Sequence, residues 1–92
     1  MHGQFVVPFE HPSLPGHFPG RPIVPGVVLL DHLLELVLAP TALVATLNVR
    51  FTGEVHPGES ILVRAPPGTG SIRFSATRDG ELVLRGTIGL AR

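Results

Sequence analysis

The 92-residue chain carries seven basic and seven acidic residues, five histidines and no cysteine, and its formal net charge is zero. We expect one domain, residues 1–92, because a chain of this length builds a single core. From the charge balance we expect no basic field for a nucleic-acid backbone, and the lack of cysteine excludes disulfides, thiolate nucleophiles and sulfur-ligated metals. The longest apolar run, Ile23 to Ala39, is interrupted by proline and charged residues and is too short for a membrane span. The first residues lack the order of a secretory signal, so we expect a cytoplasmic protein.

The first third of the chain combines a short strand with a proline-rich loop. Residues Gln4 to Glu10 predict a strand, which Pro8 confines to a sheet edge or a bulge. From His11 to Pro25 prolines recur every few residues, and each removes an amide donor and fixes the backbone. An irregular connection of this length is uncommon in a small domain unless it positions functional groups. We therefore expect this loop to carry part of a functional site.

A helix is predicted from Gly26 to Leu38, between two prolines that limit it. Apolar side chains occupy nearly every direction around this helix, as is typical of a buried helix, so we expect it at the centre of the core. The exceptions are Asp31 and Glu35, one turn apart on a shared face, with His32 beside them. This narrow polar stripe is the second candidate for a functional role.

The rest of the chain changes to the period of two that is typical of strands. Residues 43–52 alternate apolar and polar side chains and predict the clearest strand. Turns are predicted at residues 57–59, at residues 66–70 and at Asp79-Gly80, which is a strong hairpin signal. They separate three further strands, around residues 61–63, 72–76 and 82–90. One buried helix beside an antiparallel meander predicts an α+β fold in which the sheet wraps the helix.

The segment from Gly16 to Asp31, GHFPGRPIVPGVVLLD, resembles the active-site motif of the 3-hydroxyacyl-acyl-carrier-protein dehydratases. The resemblance lies in a joint pattern: a His-Phe pair, a glycine and proline spacer, a Pro-Gly that opens an apolar helix, and an acid fourteen positions after the histidine. It continues at residues 49–51, VRF, and at residues 55–59, VHPGE. Most of the chain is therefore covered.

That family has the hot-dog fold, a long helix wrapped by an antiparallel sheet, and two subunits pair to complete two equivalent active sites. The resemblance thus implies a hot-dog fold and a homodimer in which His17 of one subunit faces Asp31 of the other. It implies an acyl carrier protein as partner, with the substrate on its phosphopantetheine and no other cofactor. A heterodimer with a related hot-dog subunit, or a higher oligomer, is the alternative assembly.

The chemistry of dehydration gives these residues roles. A histidine with a pKa near ~6.5 is largely neutral at pH 7, so His17 is the candidate base for the C2 proton. Asp31, on a mostly apolar helix, is expected to be desolvated and to help the hydroxyl leave as water. The amides of Gly26 and Val27 at the helix N-terminus are candidate donors to the thioester oxygen.

Phe18 and Pro25 complete the predicted substrate-binding residues. The remaining histidines, at positions 2, 11 and 56, have no ligand spacing with one another, so we expect no metal. The spacing of Gly16, Gly20 and Gly26 does not suit a nucleotide-binding loop. A minority of the arginines is expected to form a patch for the acidic carrier protein or its phosphopantetheine.

The sequence departs from the commoner family pattern in three places. Asp31 stands where many members carry glutamate, and the branch that also isomerises the double bond carries aspartate, so isomerase activity stays open. His32 replaces a small residue. The segment before the motif is short, which resembles the small dehydratases of specialised pathways such as aryl polyene assembly.

Other interpretations remain open from the sequence. In a purely structural role, His17 would be a loop histidine bonded to the backbone, and Asp31 would be a helix residue paired with His32 or with solvent. If Asp31 is not the catalytic acid, Glu35 is the fallback. A hot-dog thioesterase would use a carboxylate or an activated water against the thioester carbon. A non-catalytic hot-dog subunit would bind the acyl carrier or complete a partner's site.

Overall fold

The computed structural model describes residues 2–8, 23–66 and 70–91, which form one helix and five strands. In chain order these elements are β1 (His2–Val6), α1 (Gly26–Val37), β2 (Val44–Phe51), β3 (Ser60–Arg64), β4 (Ser71–Arg78) and β5 (Glu81–Leu90). A strand, the helix and then four strands is the predicted order, and the α+β class is confirmed.

The five strands form one antiparallel sheet in the order β1-β3-β4-β5-β2. β3, β4 and β5 pair as a meander, whereas β2 lies beside β5, the last strand in the chain. β1 and β2 are consequently the edges of the sheet over the residues described. The ladder shifts register once between Ala76 and Thr77 and once between Val44 and Thr46, as at β-bulges.

The core lies between α1 and one face of the sheet, called the inner face below; the opposite face is called the outer face. From α1 the core takes Val28, Leu29, Leu33 and Val37. The sheet contributes apolar side chains that alternate along its central strands, chiefly Ile61, Val63, Phe74, Ala76, Leu84 and Ile88. Removing this apolar surface from water is the main stabilising term of the fold.

Two tight turns form as the sequence predicts. In the turn at residues 56–59, Gly58 has a φ of 87° and the Glu59 amide donates to the His56 carbonyl at 3.2 Å. Between β4 and β5, Asp79 and Gly80 have φ values of 50° and 81°, which is the conformation of a two-residue hairpin loop.

The first strand differs from its prediction. β1 spans His2–Val6 and ends well before Glu10, because its partner β3 begins at Ser60, opposite Val6. Beyond that pair the Val7 carbonyl accepts the amide of Gly58, at 2.8 Å, in the turn that precedes β3.

The helix ends within one residue of its predicted limit, but its burial differs from the prediction. Leu38 already has extended backbone angles, with φ −105° and ψ 137°. The sheet covers only one side of α1, so Val27, Asp31 and Glu35 stay exposed in the single chain. The expected helix buried all round is therefore wrong for one subunit alone.

Candidate active site

The N-terminus of α1 is open. Pro25 precedes the helix with φ −59° and ψ 144°, and no side chain of residues 2–8, 23–66 or 70–91 caps the first turn. The Pro25 carbonyl accepts the amides of Val28 and Leu29, at 3.0 and 3.3 Å, whereas the amides of Gly26 and Val27 have no acceptor among the residues described. Unpaired amides at this end of a helix carry partial positive charge and are ready to donate to an anionic oxygen.

The Phe51 ring lies directly against this helix end. A β-carbon placed on Gly26 would stand 2.9 Å from the Cζ and 3.0 Å from the Cε1 of Phe51. Glycine at position 26 therefore lets the aromatic ring approach the first turn, and the ring remains 47% exposed. Phe51 forms an apolar wall beside the two open amides.

The segment before the helix is held by the strand connection that follows Phe51. The Val24 amide donates to the Val55 carbonyl at 2.8 Å, and both side chains are buried. At the start of that connection, the amide of Thr52 and its hydroxyl bond the carbonyls of Val83 and Leu82, each at 2.8 Å. These contacts fix the helix N-terminus relative to the end of β2.

A stripe of exposed side chains runs along α1 from this end. Val27, Asp31 and Glu35 follow one another at four-residue steps, which places each about 6 Å further along the helix axis. Val27 is 68% exposed, and both carboxylates are exposed as well. Asp31 is thus exposed in the single chain, where none of the described elements covers this side of the helix, and its desolvation stays a prediction for paired subunits.

His32 has an anchoring position beside the stripe. Its Nδ1 lies 3.0 Å from the Val28 carbonyl, and its ring stacks on Phe5 of β1 with the centroids 5.1 Å apart. The half-buried imidazole therefore joins α1 to the first edge strand. This position accounts for a bulky residue next to Asp31, where the family usually has a small one.

The predicted site residues divide into two groups. Pro25 lies immediately before α1, and Gly26, Val27 and Asp31 lie on its first two turns. His17 and Phe18 lie outside the described residues, as does most of the proline-rich loop, so their roles stay predictions.

A polar cluster surrounds the turn that follows Val55. The Glu59 carboxylate accepts the His56 amide at 2.6 Å and lies 3.3 Å from the His56 Nδ1 and 3.6 Å from Arg78. Partial burial raises the pKa of Glu59, but the hydrogen bond from the His56 amide and the charge of Arg78 outweigh it and lower the pKa overall. This cluster ties the turn to the β4–β5 hairpin.

Phe51 is the site residue that sequence reasoning did not single out. It lies in the VRF segment that carries part of the family resemblance, at the end of a strand predicted from alternating apolar and polar residues. The contact of Phe51 with Gly26 depends on the position of β2 in the sheet, next to β5 and not next to β3. The alternation of residues along β2 does not encode this position.

The part of the chain described contains neither a cluster of metal-ligating side chains nor a membrane-spanning helix. No three metal-ligating side chains converge within residues 2–8, 23–66 and 70–91. Over the same residues, no helix has the length and apolar character needed to cross a bilayer.

Comparison with known protein families identifies relatives for nearly the whole chain. The ApeI-like family model, described as ApeI dehydratase, matches residues 1–87. A 3-hydroxyacyl-[acyl-carrier-protein] dehydratase FabZ from Acetivibrio thermocellus is 32% identical over 106 aligned residues, covering 92% of this chain and 69% of the relative. The FabZ of Thermomicrobium roseum is 35% identical, with 89% of this chain and 66% of the relative covered. The chain spans about two thirds of the length of these relatives.

Solved structures agree with the sequence relatives. The dehydratase heterocomplex ApeI:P from Xenorhabdus doucetiae has a chain that matches with a TM-score of 0.78 and 26% identity, covering 99% of this chain and 86% of that one. A mutant of the fluoroacetyl-CoA-specific thioesterase FlK matches with a TM-score of 0.71 and 21% identity, which demonstrates a shared fold alone. The predicted hot-dog fold is confirmed. Because the family model matches residues 1–87 and the fold is shared with ApeI:P, the chain belongs to the ApeI-like family of hot-dog dehydratases.

Proposed function

We propose that this chain is an active dehydratase that removes water from a 3-hydroxyacyl thioester on an acyl carrier protein and releases the trans-2-enoyl thioester. The observation that carries the proposal is the open N-terminus of α1, with Asp31 one turn further along the same exposed stripe. The FabZ relatives, named for this reaction, support the substrate class.

The reaction breaks the C2–H and C3–O bonds and forms a C2–C3 double bond. His17 takes the C2 proton, and electron density moves onto the thioester oxygen, where the amides of Gly26 and Val27 donate hydrogen bonds. One such donor contributes roughly 3 to 4 kcal/mol to the stability of the transition state. The C3 hydroxyl then leaves as water, with the proton supplied by His17 and the hydroxyl oriented by Asp31.

Phe51 and Val27 form the apolar boundary of this site. Both side chains are substantially exposed in the single chain, beside the open amides. An acyl chain that covers them would exclude water from the reacting carbons and strengthen the hydrogen bonds to the thioester oxygen. Phe18 and Pro25 complete the same boundary in our proposal.

A second subunit completes the site in this proposal. The stripe of α1 and the apolar side chains of β2 are both exposed in the single chain, and Phe51 of β2 lies against Gly26 in the first turn of α1. A partner that covers both would desolvate Asp31 and bring its own His17 to the carboxylate. The name of the ApeI:P heterocomplex supports pairing between hot-dog chains, and either a homodimer or a heterodimer would satisfy this geometry.

The first test is conversion of short 3-hydroxyacyl groups on an acyl carrier protein, followed by mass spectrometry. We expect wild-type protein to remove one water, and His17→Ala or Asp31→Asn to lower turnover by about a hundredfold or more, the usual contribution of general acid–base catalysis. Glu35→Gln is the matched control, because this carboxylate is exposed on the same stripe one turn further from the amides. It should retain turnover.

Each alternative has its own outcome in this assay. Release of free acid from the carrier would indicate a thioesterase and contradict the dehydratase. Carrier binding without conversion over a range of acyl groups, together with full activity of an assembled complex carrying His17→Ala, would indicate a non-catalytic subunit.

A further inference from the structure

Four arginines converge on the outer face of the sheet, on the side away from α1. Arg64 of β3 lies opposite Ser75 of β4, Ser75 lies opposite Arg85 of β5, and Arg85 lies opposite Arg50 of β2. These pairs form one straight row across four adjacent strands. Arg73, two residues before Ser75 on β4, lies on the same face in the next row, opposite Thr87. We call Arg50, Arg64, Arg73 and Arg85 the arginine face.

The arginine face has no balancing acid among the described residues. All four side chains are exposed, and none of them forms an ion pair within residues 2–8, 23–66 and 70–91. The described acids lie elsewhere, namely Asp31 and Glu35 on α1 and Glu54, Glu59, Asp79 and Glu81 in or beside the turns. Net neutrality of the whole chain thus conceals a separation of charge over its surface.

The arrangement is unfavourable for the isolated sheet. Arg50 and Arg85 are directly opposite on neighbouring strands, where like charges destabilise a pair. Ser75, between Arg64 and Arg85, provides no compensating charge. An anionic partner would remove this repulsion, and guanidinium groups suit carboxylates because they bind them in bidentate fashion.

The surface has room for a partner. A shallow concavity of about 790 Å³ is lined by all four arginines, together with Asn48 and Thr87 among its polar residues. Its end at β2 adjoins the candidate site, because Arg50 immediately precedes Phe51, whose ring lies against Gly26. The arginine face and the open helix N-terminus therefore lie at the same end of β2, on opposite faces of the sheet.

The dimensions favour an acidic helix over a small anion. Three steps between adjacent strands make the row about 14 Å long. Carboxylates four residues apart on a helix are spaced by about 6 Å, so three of them match the row, whereas a single phosphate reaches only one or two guanidinium groups. A long polyanion such as DNA would also meet Glu54, Glu59, Asp79 and Glu81 near the ends of these strands.

We infer that the arginine face docks an acidic helix of the carrier protein that delivers the thioester. This inference rests on the proposed function for the identity of the partner. Docking here places the carrier at the end of β2, from which its prosthetic arm passes around residues 52–54 to the helix N-terminus.

The test separates docking from chemistry by using two substrates and a direct binding measurement. Arg50→Gln/Arg85→Gln should weaken binding of fluorescently labelled acyl carrier protein, followed by anisotropy, about tenfold and reduce its dependence on salt. The KM for the carrier-bound substrate should rise to a similar extent. Turnover of a short 3-hydroxyacyl pantetheine thioester, which lacks the carrier, should stay unchanged. Arg64→Gln/Arg73→Gln, on neighbouring strands, provides a second pair with the same expectation.

Arg78→Gln is the matched control, because Arg78 already lies within 3.8 Å of Glu59 and Glu81 and is outside the arginine face. It should leave carrier affinity unchanged. Equal carrier affinity in the wild type and both double variants would overturn the inference while leaving the dehydratase proposal intact. Loss of affinity for a DNA duplex with no change for the carrier would overturn it too. If the wild type converts neither thioester, the proposed function fails, and the anisotropy measurement still decides whether these arginines bind the carrier.

Discussion

Gly26 and Gly86 each lie against an aromatic ring, Phe51 and Phe74 respectively. The two glycines differ in which atoms the methyl group of an alanine substitution would contact. At Gly26 the nearest atoms belong to the tip of Phe51, which is partly exposed and has room to swing outward. At Gly86 a β-carbon would collide with the carbonyl oxygen of Asn48 on β2 and stand 2.6 Å from the Cζ of buried Phe74. The Asn48 backbone and the buried Phe74 ring cannot move aside as the partly exposed Phe51 ring can.

We predict that Gly86→Ala strongly destabilises the protein. Overpacking of a core commonly costs about 1 to 3 kcal/mol, and displacement of the β2–β5 backbone adds to it. For a domain of this size each kcal/mol lowers Tm by about 4 to 8 °C. Thermal unfolding followed by circular dichroism measures the change. Gly53→Ala is the control, since its nearest neighbour is a Val83 methyl group at 3.3 Å, and a fall in Tm as large as that of Gly86→Ala would contradict the explanation.

Individual site residues were predictable from the sequence only where a local pattern carried them. Gly26, Val27 and Asp31 were proposed because a Pro-Gly pair opens an apolar helix and an acid stands fourteen positions after His17, as in the family motif, and their roles stay predictions. Phe51 and the arginine face were not found in this way, because each depends on which strands are neighbours in the sheet. Arg50 and Arg85 are far apart in the chain and become opposite only when β2 pairs with β5.

At the scale of an element, the turn at residues 56–59 joins the sheet through charge as well as backbone. The Glu59 carboxylate accepts the His56 amide and faces Arg78 at the end of β4. Arg78 in turn donates to the Glu54 carbonyl and lies 3.8 Å from Glu81. Two connections that are remote in the sequence are thereby held together.

This cluster predicts an acid-sensitive contribution to stability. The pKa of Glu59 is lowered in the folded chain, so its contribution is present above the unfolded pKa of about 4.3 and is lost as the pH falls through the lower folded value. We expect Glu59→Gln to lower the free energy of unfolding at pH 7 by less than about 1 kcal/mol, as for other solvent-exposed ion pairs. Urea unfolding at pH 7 and near pH 3 measures the free energy of unfolding at each pH.

The difference between the wild type and Glu59→Gln should shrink as the pH falls through the lowered folded pKa of Glu59, because the carboxylate gains its proton there. Glu81→Gln is the control, because this carboxylate is 78% exposed and lies further from Arg78. A difference for Glu59→Gln that is independent of pH would mean that its role is hydrogen bonding or packing and not charge.

The elements themselves were largely readable from the sequence. The prolines on either side of α1 and the turn residues predicted the helix, the hairpin at Asp79-Gly80 and the order of the strands along the chain. β1 was placed too far along the chain, because its end is decided by where β3 begins, at Ser60. Alternation along residues 43–52 predicted β2. It did not show whether the apolar side of this strand is covered by the chain's own helix or by another subunit, because both arrangements give the same pattern.

At the scale of the whole molecule, the apolar surface is incomplete on one side. Leu47 and Phe51 point to the inner face from β2, yet they are 39% and 47% exposed, although the Phe51 ring lies against the first turn of α1. The stripe of α1 is exposed as well. An edge strand with exposed apolar side chains is a template for pairing with another chain. A second hot-dog chain would cover this surface and the open helix face together.

We therefore predict that Leu47→Lys weakens the association of subunits and lowers turnover, although Leu47 is not assigned a role in the chemistry. A lysine here would have to bury its charge between subunits, which is costly without a partner for the charge. Sedimentation velocity over a range of concentrations should show dissociation to monomer. The wild-type Tm should rise with protein concentration, as expected when folding and association are coupled, and the variant should lose that dependence.

Leu62→Lys makes the same chemical change at a similarly exposed leucine, which lies on the outer face of β3, away from the surface that the partner is expected to cover. It should leave both association and turnover close to wild type, so a general effect of added charge can be separated from a specific one. A monomeric wild type with full activity would contradict the two-subunit site, because Asp31 is exposed in the single chain and none of the described elements covers it. If Leu47→Lys instead loses both the dimer and turnover, the exposed edge of β2 is connected to the chemistry at the helix N-terminus. The subunit that covers Leu47 would then be the one that completes the site.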